Sequence, residues 1–175
     1  MNTLNQKSAV SVALALGSNI GDAEQIFLQA QKLLTARGFA IEKYASIIKT
    51  APVNCPAGTP DFANSALTGT FCGTPEELLQ ITQSIEVQLG RSADHGFHTP
   101  RTLDIDVIIF GNTVMDSPRL TLPHPRAKER LFVLEPLKEI AAEWIFPDTG
   151  ESVSEVFRRI RPASLHYAAP LRQEF

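Results

Sequence analysis

Asp104 and Asp106 stand two residues apart in RTLDIDVIIFGN, residues 101–112, inside a run otherwise built of Leu, Ile, Val and Phe. In an extended strand alternate residues share a face, so Asp104, Asp106 and Ile108 point one way and Ile105, Val107 and Ile109 the other. The two carboxylate ends then lie roughly 6–7 Å apart and, at an effective dielectric of ~20, repel by about 2–3 kcal/mol, with partial burial adding a desolvation cost. Something positive must sit between them. Arg91 and Arg101 serve in a purely structural ion-pair cluster. A divalent cation serves in a chemical reading, because Mg²⁺ usually takes one or two carboxylates together with substrate phosphates.

Arg91, Arg101, Arg119, Thr121, His124 and Arg130 bracket the aspartates in sequence and form a phosphate-binding inventory. Arginine forks hold phosphate oxygens bidentately, so a polyphosphate is the ligand that uses both the cations and a metal on the paired carboxylates. Each of these arginines also fits a solvated surface. No G-x-x-x-x-G-K-[ST] occurs, which excludes a Walker-type nucleotide site. His95 and His98, three apart in a glycine-containing loop, suit either a metal pair or simple solvation.

The elements that must position these groups are legible from periodicity and punctuation. Val10, Val12, Leu14 and Leu16 alternate in SAVSVALALGS, which suits a first core strand, although Lys7 followed by this stretch also resembles a short secretory segment. Asp22 with Gln25 has the spacing of a capping box for a helix near 23–37, with Ile26, Ala30, Leu33 and Leu34 as its core stripe and Gly38 as its stop. A second strand follows over 40–49, then a Pro- and Gly-rich loop and a third strand, NSALTGTF. Thr74, Pro75 and Glu77 predict a helix start, with Leu78, Ile81 or Thr82, and Ile85 facing the core to about residue 89. A polar loop, GRSADHGFHTP, leads into the Asp-x-Asp strand, and Gly111–Asn112 predicts a two-residue hairpin returning through TVM. Prolines break the next stretch into a loop and short helical pieces, and Ser152 with Glu155 caps a last helix carrying Val153, Val156, Phe157 and Ile160.

Strand, helix, strand, strand, helix, strand is the ferredoxin-like order, an α+β fold with an antiparallel sheet and helices packed on its faces. The 175 residues fit one domain, 1–175, with the tail 161–175 peripheral. A net charge of −3 and the absence of any basic run argue against a nucleic-acid partner, and no stretch approaches the ~20 apolar residues of a membrane span. Cys55 and Cys72 have no metal-ligand spacing and imply a reducing compartment, hence the cytoplasm.

Three separated motifs, ALGSNIGD, the GR step leading to PRTLDIDVIIFGN, and RLTLPHPRAKERLFVLEPLKEI, resemble 6-hydroxymethyl-7,8-dihydropterin pyrophosphokinase of folate biosynthesis. The likeness runs through about residue 160. It implies Mg-dependent transfer of pyrophosphate from ATP to the hydroxymethyl group of the pterin, with release of AMP. By the same resemblance Asp104 and Asp106 hold two Mg²⁺ ions that arrive with ATP, and Arg91 and Arg101 grip phosphates and stabilise charge in transfer. Arg119, Thr121, His124 and Arg130 line the ATP site with Leu79 and Val107 beside the adenine, while Glu86 supports the metal site. The pterin sits with Thr50, Ala51, Val53 and Asn64 at its polar edge and its ring between Phe62 and Phe132, residues that composition alone would place in the core. A monomer is expected, with ATP and the pterin as partners.

The chain departs from the family pattern at Ala93, Asp94, His98 and Thr99 in the loop, at Ala51, and at Pro125. Two other functions compete. A phosphotransferase or phosphatase using the first Asp of D-x-D as nucleophile would place it at the carboxyl end of its strand, whereas four apolar residues follow Asp106. A ferredoxin-like RNA-binding module would show basic stripes and aromatic platforms that are missing here. A paralogue of the same fold with altered activity is the remaining alternative.

Overall fold

A computed structural model describes residues 8–52, 58, 60–90 and 102–161. Its centre is an antiparallel sheet in the order β2-β4-β1-β5, formed by β1 (Val10–Ser18), β2 (Phe39–Tyr44), β4 (Phe62–Phe71) and β5 (Asp104–Phe110), with β3 (Ile48–Thr50) also paired to β4. That is the expected ferredoxin-like arrangement, and the apolar alternation at the start of the chain is the central strand β1, bonded on both sides.

Each face of the sheet has its own core. Val12, Leu14 and Leu16 of β1 face α1 (Ala23–Ala36) and α2 (Pro75–Gln88), where they meet Phe27, Leu34, Leu78 and Ile85. Ala13, Ala15 and Ala66 face α3 (Leu131–Ala141) and α4 (Val153–Ile160), where Leu134, Leu137, Val156 and Phe157 cover them. Three alanines on the second face let α3 lie close to the sheet.

Two of the three expected capping boxes are made, Thr74 with Glu77 and Ser152 with Glu155. Asp22 caps α1 one way only, accepting from the N–H groups of Glu24 and Gln25. Phe27, absent from the expected stripe, is fully buried with Ala30 and Leu34, while Ile26 and Leu33 are half-buried; the stripe is rotated toward the larger side chain.

Four expectations are corrected. The strand expected over 40–49 is two strands, because the chain turns off β4 after Ala45: Ala45 N–H still bonds Ala66 O of β4, but Ser46 donates through N and Oγ to the Glu139 carboxylate. Ile109 joins Ile108 in the α3-side core instead of facing away from it, because the β1–β5 register slips between Ala13 and Leu14. The strand after the Gly111–Asn112 turn does not return along β5. It is β6 (Met115–Asp116), paired with β7 (Thr121–Leu122). Finally, Pro136 lies inside α3 without breaking it.

Candidate active site

Register carries the candidate residues across the sheet. Gly17 of β1 lies opposite Asn64 of β4 on one side and Asp104 of β5 on the other. One row inward, Ala15 lies opposite Ala66 and Asp106. Directly opposed residues share a face, so Asn64, Gly17, Asp104 and Asp106 all lie on the α3 side. Two strand spacings separate Asn64 from Asp104, about 10 Å.

At the Asn64 end, Asn64 Nδ2 donates to Thr50 Oγ1 at 2.9 Å, with both residues buried. That bond fixes the amide and turns its Oδ1 toward Gly17, 3.6 Å from where a Cβ would stand. Phe62, half-buried, opposes Thr50 and so shares this face. Ala51 follows, exposed.

At the other end, Asp104 opens β5 and both aspartates are partly exposed. β5 closes the sheet, and its backbone is tied from outside it. The buried Glu86 of α2 accepts the Ile105 N–H at 2.7 Å, on the peptide between the two aspartates, and the His124 N–H donates to Ile108 O at 3.0 Å. His124 Nε2 lies 3.8 Å from Asp106 Oδ2, too far for a hydrogen bond. Its Nδ1 accepts the Arg126 N–H at 3.2 Å, which leaves Nε2 as the protonated nitrogen of the neutral ring, aimed at Asp106.

Burial lowers the pKa of His124, against the pull of Asp106 in the other direction, and the charges of Arg130 and Arg126 lower it further. A folded pKa below the ordinary ~6.5 means that the unfolded chain binds the proton first. Stability from this group is present above about pH 6.5 and is lost as pH falls through the folded value. Ligand-free protein should therefore lose less stability between pH 7 and pH 5 when His124 is replaced by Gln, measured by denaturant titration; an unchanged difference between the two pH values would contradict the assignment.

Arg130 continues the chain of contacts, with its guanidinium 5.4 Å from the centre of the Phe132 ring at the start of α3. Thr121 is held by its hydroxyl on Asp116 at 2.7 Å, and Arg119 is exposed in the turn between β6 and β7. The structure thus brings together Thr50, Phe62, Asn64, Asp104 and Asp106 on one face of the sheet, with His124, Arg130 and Phe132 beside them, while Glu86 reaches the β5 backbone from α2 on the opposite face. Leu79 is half-buried on α2. Val107 points its side chain into the α1/α2 core, so only its backbone is available to an adenine. Val53, Arg91 and Arg101, the loop positions 93–99 and the tail 162–175 lie outside the described residues. Sequence reasoning missed Gly17 and Arg126; the first could have been found from the glycine interrupting the small-residue alternation of β1.

The donor set fits Mg²⁺. Two carboxylates on one face offer hard oxygens, and among the described residues no group of three His, Cys, Asp or Glu forms a cage. Substrate phosphates would complete the coordination.

An antiparallel sheet with two helices on each face and an acidic pair at the head of its edge strand forms an α+β scaffold, and comparison with known proteins places it in a family of pyrophosphokinases. A family model described as 7,8-dihydro-6-hydroxymethylpterin-pyrophosphokinase (HPPK) matches residues 13–142, and the chain belongs to this family. It is 41% identical over 131 residues to the 2-amino-4-hydroxy-6-hydroxymethyldihydropteridine pyrophosphokinase of Bacillus subtilis, covering 74% of this chain and 77% of the relative. It is 35% identical over 156 residues to the protein of that name from Methylorubrum extorquens, covering 87% and 94%. The mitochondrial folate synthesis bifunctional protein of Arabidopsis thaliana is 35% identical over 82% of this chain, which spans only 26% of that protein's length. Among solved structures, Plasmodium falciparum HPPK-DHPS superposes with a TM-score of 0.72 at 13% identity over 93% of this chain and 46% of that one, a likeness of fold.

Among the described residues no helix is long and apolar enough to cross a membrane.

Proposed function

We propose that this chain transfers the terminal pyrophosphoryl group of ATP to the hydroxymethyl oxygen of 6-hydroxymethyl-7,8-dihydropterin. The observation that carries the reading is the row Asn64–Gly17–Asp104: a fixed polar pair able to read one edge of a flat heterocycle, about 10 Å from a two-carboxylate site suited to a metal-bound polyphosphate. Phe62 and Phe132 supply aromatic faces for the ring, and Asn64 with Thr50 fixes its orientation.

Two Mg²⁺ ions held by Asp104 and Asp106 would neutralise triphosphate charge and polarise the phosphoryl oxygens. The chain's own groups do the positioning. Asn64 holds the pterin so that its hydroxymethyl arm points along the row toward Asp104. Arg130 and Arg119 hold phosphate oxygens, with Arg91 and Arg101 in the same role by family resemblance, and His124 presents its Nε2–H on the Asp106 side. The hydroxymethyl oxygen attacks the β-phosphorus, the bond to the α–β bridging oxygen breaks, and AMP and one proton leave. The exposed, free thiol of Cys72 suits a cytoplasmic setting.

Attack at the β-phosphorus requires AMP as the nucleotide product. Purified protein with ATP, Mg²⁺ and the hydroxymethylpterin, resolved by ion-pair chromatography, should yield AMP and pterin diphosphate in equal amounts. ADP as the dominant product would replace this reading with simple phosphoryl transfer; no turnover would mark an inactive paralogue.

A further inference from the structure

We propose that Gly17 is a specificity-determining residue: its missing side chain leaves open the floor over which a flat bicyclic heterocycle passes from Asn64 to the carboxylate pair. The inference rests on the proposed function. It begins with an anomaly, since glycine inside a strand loses more backbone entropy on folding than any other residue and has nothing to pack. Something must offset that.

The protein itself does not require it. Gly17 is paired on both sides in the central strand, and a Cβ built there would meet only Asn64 Oδ1 at 3.6 Å and Asp104 Cβ at 3.9 Å, ordinary van der Waals distances. Gly69 shows the contrast: a Cβ there would stand 2.1 Å from Ala40 O, so that glycine is demanded by the fold. Helix packing does not explain Gly17 either. Ala13, Ala15 and Ala66 on the same face are buried in the core beneath α3 and α4, whereas Gly17 is half-buried, one row further out.

What distinguishes the position is its place in the site. Gly17 stands between Asn64 and Asp104, with both side chains within 4 Å of its Cβ direction. A rigid ligand that bonds Asn64 and delivers a short hydroxymethyl arm to the carboxylates must cross this residue. A methyl group would project into its path without touching the protein more than normally, so substrate binding and fold stability should respond with opposite sign.

The test is Gly17→Ala and Gly17→Val in the full chain, with three measurements on each: thermal melting, calorimetric binding of a non-hydrolysable Mg·ATP analogue, and binding of the hydroxymethylpterin with the analogue present. The alanine variant should melt no lower than the wild type and bind the analogue within about threefold, yet bind the pterin about tenfold or more weakly, the penalty growing with valine. Equal pterin affinity in Gly17→Ala overturns the proposal, as does a lowered melting temperature in that variant, which would make the glycine structural. If the wild type itself binds no pterin while binding the analogue, the proposed function fails first and this inference with it.

Discussion

Asp106→Asn is expected to abolish turnover while leaving the ligand-free protein as stable as the wild type or slightly more so. The catalytic loss should be roughly 10³-fold or more, about 4 kcal/mol of transition-state stabilisation, because the substitution removes half of the charge that recruits the metal and keeps a side chain of the same shape. The effect on folding has the opposite sign. Asp104 and Asp106 share a face at the start of β5, and replacing one relieves their repulsion. At this depth the relief is small, because Asp106 is 35% exposed and water screens it to well under the unscreened 2–3 kcal/mol. The decisive comparison is melting with Mg²⁺ and a nucleotide analogue. At a ligand concentration of about 100 Kd the wild type should gain about 2.7 kcal/mol, a gain the variant should largely lose. If Asp106→Asn instead unfolds without ligand, the pair is a structural ion cluster and the metal reading is wrong.

That opposition of signs explains why the acidic pair is legible in the sequence alone. A carboxylate pair inside an apolar strand conflicts with local preference, and such conflicts mark sites whose compensation comes from elsewhere. Helix starts were legible for a simpler reason: Thr74 with Glu77 and Ser152 with Glu155 satisfy orphan N–H groups within four residues, so no distant contact decides them. The failures all needed distant information. Pro136 forgoes only the N–H bond to the Phe132 carbonyl, and burial of Leu131, Val133, Leu134 and Leu137 on the sheet outweighs it, a sum invisible from the local proline signal. The slip in register that turns Ile109 inward exists only in the pairing of β5 with β1, nearly a hundred residues earlier. The same holds within the site. Asn64 and Asp104 come together only because β1 lies between β4 and β5, so the resemblance could name both residues but the role of Gly17 emerged from sheet order.

Glu86 tests whether the acidic pair depends on the helix behind it. A carboxylate that is 4% exposed is costly to bury, and here it accepts the peptide N–H of Ile105, between the two aspartates, at 2.7 Å. The bond ties α2 to the backbone that sets the spacing of Asp104 and Asp106. Glu86→Ala should cost about 3 kcal/mol, since a hydrogen bond to a charged acceptor contributes about 1.5–3 kcal/mol and its loss leaves a buried N–H facing a small cavity. Activity measured well below the melting temperature should fall by about 10–100-fold, the usual range for groups that orient metal ligands without touching the metal, with a higher Mg²⁺ midpoint. Glu86→Gln separates geometry from charge. Glutamine keeps an oxygen for the Ile105 N–H and nearly the same volume, so near-wild-type melting with a weakened Mg²⁺ midpoint would assign the remaining effect to the lost negative charge. Wild-type melting and an unchanged Mg²⁺ midpoint in Glu86→Ala would show that β5 holds the aspartates in place without α2, and the supporting role would be withdrawn.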